Sequence, residues 1–184
     1  APESKEAGPL SFQKATLVGS VTEPKSEPVR KWDVFDPEVE AEAALVQSLE
    51  GGRSLMSYNS EKIWPAASLS KLLTAVVVIE EIGLNKKIPV SKTAVEAGGE
   101  AGNLKAGEIY TSRDLLKIML LASSNDAAAA FEEYVGGRDY FVDFMNKTAA
   151  KIGMVKSIFR GAAGYENTNE STASDLMKLT LYII

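Results

Sequence analysis

Ser68 and Lys71 stand three residues apart in the run WPAASLSKLLTAVVVIEE, residues 64–81. On a helix that spacing puts both side chains on one face, a turn apart. A serine hydroxyl beside an amine is a nucleophile beside a general base, provided the amine is neutral. The setting suits that chemistry. Pro65-Ala66-Ala67 precedes the serine and places it near a helix start, where free N–H groups and the positive dipole end can hold an oxyanion. Burial against Leu72, Leu73 and Val76 would depress the lysine pKa, because desolvation penalises the ammonium.

The pair alone carries little weight. Serine is a favoured helix cap, and SFQK, Ser11 to Lys14, repeats the spacing inside a proline-rich stretch. Context separates the two. Lys71 is the only charged residue between Lys62 and Glu80, in a segment apolar around nearly its whole helical circumference. Such a helix is buried, and a buried lysine needs a reason. A second polar group, Ser123-Ser124-Asn125, falls in the break between two helical patterns in LLASSNDAAAAFEEY. Either Ser124 or Asn125 is expected to cap the second helix, which leaves the others free to face a cleft. SYN at residues 57–59 has the same Ser-x-Asn form but belongs to a hairpin pattern.

Composition narrows the chemistry further. The 184 residues include no cysteine and no histidine. That removes disulfides, thiolate nucleophiles, thiolate or imidazole zinc sites and any Ser-His-Asp triad. Hydrophobic residues make up 45%, charged residues 24%, and net charge is −5. This is the balance of a globular protein without a nucleic-acid surface. No apolar window reaches the length of a membrane span, so membrane association would need an anchor outside these residues.

The elements that must position the candidates follow from patterning. Five of the seven prolines lie in residues 1–37, and residues 1–36 read as a flexible Pro/Glu/Lys/Ser-rich leader or linker, with ATLVG as a candidate strand. Residues 37–184 read as the folded domain. Gly51-Gly52 joins two short runs as a hairpin. Apolar helix follows, closed by Gly83, and KIPVS is a short strand. Thr111 is expected to cap a helix with Leu115, Leu116, Met119 and Leu120 facing inward. Two further helices end at Gly136-Gly137 and Gly153, and Ser171 or Ser174 is expected to cap a last one. A hairpin followed by helices is an α+β, or mixed α/β, arrangement.

Ser-x-x-Lys at a buried helix start, followed some fifty residues later by Ser-x-Asn between helices, resembles the penicilloyl-serine transferases. The closer resemblance is to low-molecular-mass penicillin-binding proteins of the D-alanyl-D-alanine carboxypeptidase type. It extends through PAASLSKLLTA, LKAGEIYTSRDLLKIMLLASSNDAA and ESTASDLMKL. It implies a β-lactamase/transpeptidase-like fold, an antiparallel sheet packed by helices plus a helical subdomain. Ser68 would be the acylated nucleophile and Lys71 its base. Ser123 would relay a proton toward the leaving group, Asn125 would bind the substrate amide or orient Lys71, and the Ser68 N–H would form half of an oxyanion hole. The implied partners are the D-Ala-D-Ala end of peptidoglycan stem peptides and β-lactams that mimic it. No cofactor or metal is implied, and the implied location is extracytoplasmic.

Two departures stand out. The family's Lys-Thr/Ser-Gly strand is absent: the KTA triplets at Lys92 and Lys147 lack the glycine and fall in helical surroundings. With the uncapped apolar ending LMKLTLYII, this reads as a chain cut before the closing strands, of low activity and weak cooperativity by itself. FRGAAGYE replaces the family's His-Gly segment. Two competing functions remain. A β-lactamase would place Glu166 near a deacylating water, although Asn169-Glu170 stands where Leu-Asn is expected. A non-catalytic wall-binding module would keep the fold without the chemistry.

Overall fold

The Gly51-Gly52 pair carries φ of 72° and 66°, the left-handed backbone that a tight antiparallel turn demands. It joins β1 (Ala44–Gln47) to β2 (Ser54–Tyr58), with Leu45 opposite Ser57 and Val46 opposite Met56. The computed structural model describes residues 28–35, 37–99, 102–165 and 168–184. Val39–Ile184 pack as one unit. Within residues 28–38, the Arg30 guanidinium lies over the Trp32 ring, 4.7 Å from its centroid. ATLVG and the SFQK repeat lie outside the described residues.

Two further ribbons lie among the described residues. β3 (Trp64–Pro65) pairs antiparallel with β6 (Glu170–Ser171), and β4 (Lys87–Pro89) with β5 (Ile109–Thr111). The first ribbon leads directly into the Ser68 segment: the Ala66 N–H donates to the Asn169 carbonyl at 2.8 Å. A single 3-10 turn, Ala67–Leu69, then opens α1 (Ser70–Val77), which widens into a π turn over Val78–Ile82 and stops at Gly83 with φ 82°. Seven of the eight α1 residues are buried, as an all-round apolar pattern requires.

α1 is the axis on which the rest is packed. It meets α3 (Ser112–Ala122), α5 (Arg138–Ile152) and α6 (Ala173–Ile183). Leu73, Val77, Leu115, Met119, Met145 and Leu179 are fully buried between these helices. α2 (Lys92–Val95) and α4 (Asn125–Tyr134) are the other α-helices among the described residues. The fold is therefore mixed helix and small antiparallel sheets, as expected. Lys92 starts α2 and Lys147 sits within α5, so neither KTA triplet lies on a strand.

Two details differ from the sequence reading. Thr172, not Ser171 or Ser174, caps α6: its backbone is extended and its hydroxyl accepts the Asp175 N–H at 3.0 Å. Ser171 instead shares a 2.8 Å hydrogen bond with Ser157, and Ser174 donates its N–H to the Ser60 carbonyl. Leu120 does not face inward but is 47% exposed. It lies one residue, about 100° of helix, beyond Met119, at the edge of the inward stripe.

One close approach locks the loop after α5 onto the Ser68 turn. A Cβ at Gly164, φ 70°, would stand 1.9 Å from the Ala67 carbonyl oxygen and 2.9 Å from Ser70 Oγ. Ala67 itself has φ 44°. Ser70 Oγ is the one buried side-chain polar atom without a hydrogen-bond partner among the described residues. At the other end of α1, the Tyr182 hydroxyl and Lys151 Nζ both donate to the Glu80 carboxylate, tying α6 and α5 to the π turn.

Gly164→Ala should cost about 2–4 kcal/mol through collision and strained backbone, a Tm loss of roughly 5–15 °C. Ser70→Ala should act in the other direction by about 1 kcal/mol, since it removes a desolvated hydroxyl and no bond. Equal Tm values for both variants and the parent would contradict this packing. Glu80 is held below its ordinary value of 4.5, first by the Tyr182 hydroxyl and then by Lys151. Its contribution is complete above that value and is lost as pH falls through the lower folded-state value. Tyr182→Phe should therefore lower Tm near neutral pH and flatten the fall of Tm as pH drops below 4.5. Parallel Tm-against-pH curves for the two proteins would rule this out.

Candidate active site

Ser68 projects from the 3-10 turn and Lys71 from the first turn of α1, so the three-residue spacing becomes a contact: Lys71 Nζ lies 3.1 Å from Ser68 Oγ. Lys71 is only 3% exposed. Its Nζ also donates to Asn125 Oδ1 at 2.9 Å and to the Ala163 carbonyl at 2.8 Å. Three oxygens from three separate segments thus surround one buried nitrogen, which is how a group with strong hydration is kept out of water.

The Ser-x-Asn group is shaped by the break between α3 and α4. Ser123 ends α3 in the left-handed region, φ 53° and ψ 30°, a conformation non-glycine residues hold only when surroundings impose it. Its hydroxyl donates to Ser68 Oγ at 3.0 Å. Ser124 caps α4 by accepting the Ala127 N–H at 2.9 Å, the capping duty expected of one member of the trio. Asn125 is oriented from both sides of its amide, with Oδ1 toward Lys71 and Nδ2 donating to the Gly98 carbonyl at 3.0 Å. A Cβ at Gly99 would stand 2.3 Å from Asn125 Nδ2, so that bend needs glycine. Asp126, buried beside it, accepts the Gly102 N–H at 2.8 Å and ties the same stretch to α4.

Ser68, Lys71, Ser123 and Asn125 therefore converge, although more than fifty residues of chain separate the two pairs. The lookalikes stay apart. Ser57 and Asn59 belong to β2 and the turn after it, where Asn59 Nδ2 donates to the Glu42 carbonyl. Glu166 lies outside the described residues. Asn169 is fully buried and accepts the Arg160 N–H at 2.7 Å, a use in holding the loop.

That loop, residues 159–165, is what sequence reasoning missed. It brings the Ala163 carbonyl to Lys71 and the Ala162 carbonyl to the Thr74 hydroxyl, 2.7 Å away, one turn further along α1. Main-chain carbonyls leave no side-chain signature. The available signal was Gly161-Ala-Ala-Gly164, a run small enough for backbone to touch backbone.

The cluster faces two cavities. An apolar cleft of about 580 Å³ runs over Ser68 between Pro65, Leu69, Leu72, Met119 and Leu120. A second cavity of about 450 Å³ is bordered by Gly98, Asn125, Ala129, Glu132, Ala163 and Tyr165. Lys71 borders the first, Asn125 and Ala163 the second, so the contacts at Nζ form the partition. Among the described residues no group of three or more carboxylates is arranged to hold a metal. α1 and α4 both begin at the cluster, and their N-terminal dipole ends favour negative charge developing at Ser68. A hydroxyl in contact with an amine and a second hydroxyl, at the head of an open cleft, is equipped for acyl transfer.

Comparison with known proteins agrees with this geometry. The sequence profile of the family described as D-alanyl-D-alanine carboxypeptidase matches residues 30–184. A D-alanyl-D-alanine endopeptidase of Pseudomonas aeruginosa is 34% identical over 92% of this chain and 54% of its own length. The D-alanyl-D-alanine carboxypeptidase DacB2 of Mycobacterium tuberculosis is 32% identical over 77% of this chain and 50% of its own. The crystal structure of a D-alanyl-D-alanine carboxypeptidase from Mycobacterium tuberculosis superimposes with a TM-score of 0.76 at 31% identity, covering 81% of this chain and 58% of that one. A mutant of the Streptomyces K15 DD-transpeptidase gives a TM-score of 0.74 at 25% identity, covering 79% and 62%. The chain spans about half the length of these curated relatives. With its profile matched from residue 30 to residue 184 and its fold shared with penicillin-binding proteins, the chain belongs to the D-alanyl-D-alanine carboxypeptidase family of serine peptidases.

Proposed function

We propose that these residues form the acylating machinery of a serine-type D-alanyl-D-alanine carboxypeptidase that acts on peptidoglycan stem peptides outside the cytoplasmic membrane and is acylated by β-lactams at Ser68. The observation that carries this reading is the placement of Lys71 Nζ within 3.1 Å of Ser68 Oγ and 2.9 Å of Asn125 Oδ1. A neutral lysine has two N–H bonds and one lone pair. In that form the nitrogen, 3.1 Å from Ser68 Oγ and held by Asn125 Oδ1 and the Ala163 carbonyl, can take the proton of the Ser68 hydroxyl.

From that state Ser68 Oγ attacks the carbonyl carbon of the penultimate D-alanine while its proton passes to Lys71 Nζ. The carbonyl oxygen gains the negative charge, for which the family resemblance assigns the Ser68 N–H as one donor. Ser123, hydrogen-bonded to Ser68 Oγ at 3.0 Å, relays the proton from the Lys71 ammonium to the departing D-alanine amine, so the C–N bond breaks with the Ser123 hydroxyl restored and Lys71 neutral again. Water then attacks the ester and returns Ser68. The family resemblance assigns a second oxyanion donor and a cation for the terminal carboxylate to a Lys-Thr/Ser-Gly strand, a sequence these 184 residues do not contain. By themselves they are therefore proposed to be of low activity. Residues 1–36 serve as a linker ahead of the catalytic domain, and no described helix is long and apolar enough to cross a membrane.

A second reading shares the same acylation step. The relative matched over 92% of this chain is described as an endopeptidase, and in such a reaction the leaving amine would belong to a cross-linked residue. Incubation of the full-length protein with benzylpenicillin should give one covalent adduct by intact mass, and Ser68→Ala should give none. Lys71→Ala should slow acylation by roughly a thousandfold or more, while Lys14→Ala leaves it unchanged. An adduct that survives Ser68→Ala overturns the assignment.

A further inference from the structure

Glu132 is a buried carboxylate, 8% exposed, that the acylation chemistry does not use. It follows Asn125 by seven residues on α4, two turns along the same face. Ala128 and Ala129 fill the stripe between them, and Asn125, Ala129 and Glu132 together border the 450 Å³ cavity. Small residues there let the 159–165 loop come close to the helix. Glu132 Oε1 accepts the Ala162 N–H at 2.7 Å, and Arg138 Nε donates to Oε2 at 3.3 Å from the outer side.

The peptide unit after Ala162 gives its carbonyl to Thr74, and the next gives the Ala163 carbonyl to Lys71 Nζ. Both side-chain stations on the α4 stripe therefore end at the same nitrogen, Asn125 directly and Glu132 through the loop it holds. Other residues fix the loop at its flanks: Asn146 accepts the Phe159 N–H, and Asn169 accepts those of Arg160 and Gly161. Among these side chains Glu132 alone holds the Ala162 N–H, which of the N–H groups so held is the nearest in sequence to the carbonyl that Lys71 uses.

We propose that Glu132 is a positioning residue for the lysine base, acting through its hydrogen bond to the Ala162 N–H to hold the Ala163 carbonyl against Lys71 Nζ. The inference rests on the acylation chemistry proposed for Ser68 and Lys71. It is a role of geometry rather than of charge, and the two make opposite predictions. Glu132→Gln keeps an acceptor oxygen at the right reach and loses the charge; Arg138, whose side chain is 67% exposed, can turn to solvent. Glu132→Asp keeps the charge but withdraws it by about 1.5 Å, one C–C bond, too far for the Ala162 N–H.

The test is stopped-flow acylation of the full-length protein by benzylpenicillin, resolved into non-covalent binding and the chemical step. Glu132→Asp and Glu132→Ala should slow the chemical step by about 10- to 100-fold, with binding changed by no more than about twofold. Glu132→Gln should stay within about threefold of the parent. An Asp variant that outruns the Gln variant overturns the proposal, as do parent rates in both. Where the Ala variant fails to fold, the Asp and Gln pair decides. Amide hydrogen exchange gives a readout independent of activity: the Ala162 N–H should exchange faster in the Asp variant and at the parent rate in the Gln variant. Failure of benzylpenicillin to label the parent would sink the enzyme reading instead and leave this exchange measurement to decide the clamp.

Discussion

Everything near the cleft is organised by one requirement, a lysine ammonium or amine held out of water. An unpartnered charge at 3% exposure would cost several kcal/mol, so Lys71 must be surrounded by acceptors. The chain meets this with a side-chain amide from α4, a carbonyl from the loop after α5, and the Ser68 hydroxyl. Each comes from a different segment. Correct assembly of α1, α4 and the 159–165 loop is therefore a condition for burying the lysine at all, and the reactive pair exists only when the fold does.

Strain is concentrated around the same point. Ala67, immediately before Ser68, and Ser123, whose hydroxyl bonds to Ser68, both occupy positive φ, at 44° and 53°. Such residues are maintained only where packing over-determines them. Gly164 pressed on the Ala67 carbonyl and the cap at Ser124, next to Ser123, supply that packing. α1 and α4 carry Lys71 and Asn125 on their first turns, whereas the two hydrogen-bonded serines sit on the bends just before a helix or just after one. Helices set the lysine and the amide; turns set the hydroxyl groups.

Legibility in the sequence followed the same division. The buried helix around Lys71, the Thr111 cap and the break at Ser123 each have a local cause, apolar periodicity or a capping side chain, and each was readable. Leu120 was misread because periodicity fixes a stripe only to within one residue at its edge. The α6 cap was misplaced among Ser171, Thr172 and Ser174, three adjacent capping types that only backbone geometry distinguishes. The Ala163 carbonyl and the Glu132 contact to Ala162 were out of reach. They depend on where α4 and a loop thirty residues later meet, and nothing local encodes that.

The loop also explains how this family member can depart from the expected His-Gly segment without losing the environment of Lys71. The contacts that FRGAAGYE makes to Lys71 and Thr74 are main-chain carbonyls, which any residue supplies. What the side chains must do is stay small where backbone meets backbone, and Gly164 facing Ala67 states that limit most sharply. A backbone contact has no side chain to anchor it, however, so its position must be fixed from outside the loop. Asn146, Asn169 and Glu132 provide that fixing from α5, from the chain leading into β6 and from α4. Substitution within the loop is thereby decoupled from the chemistry, and the constraint moves to polar residues that lie elsewhere in the sequence.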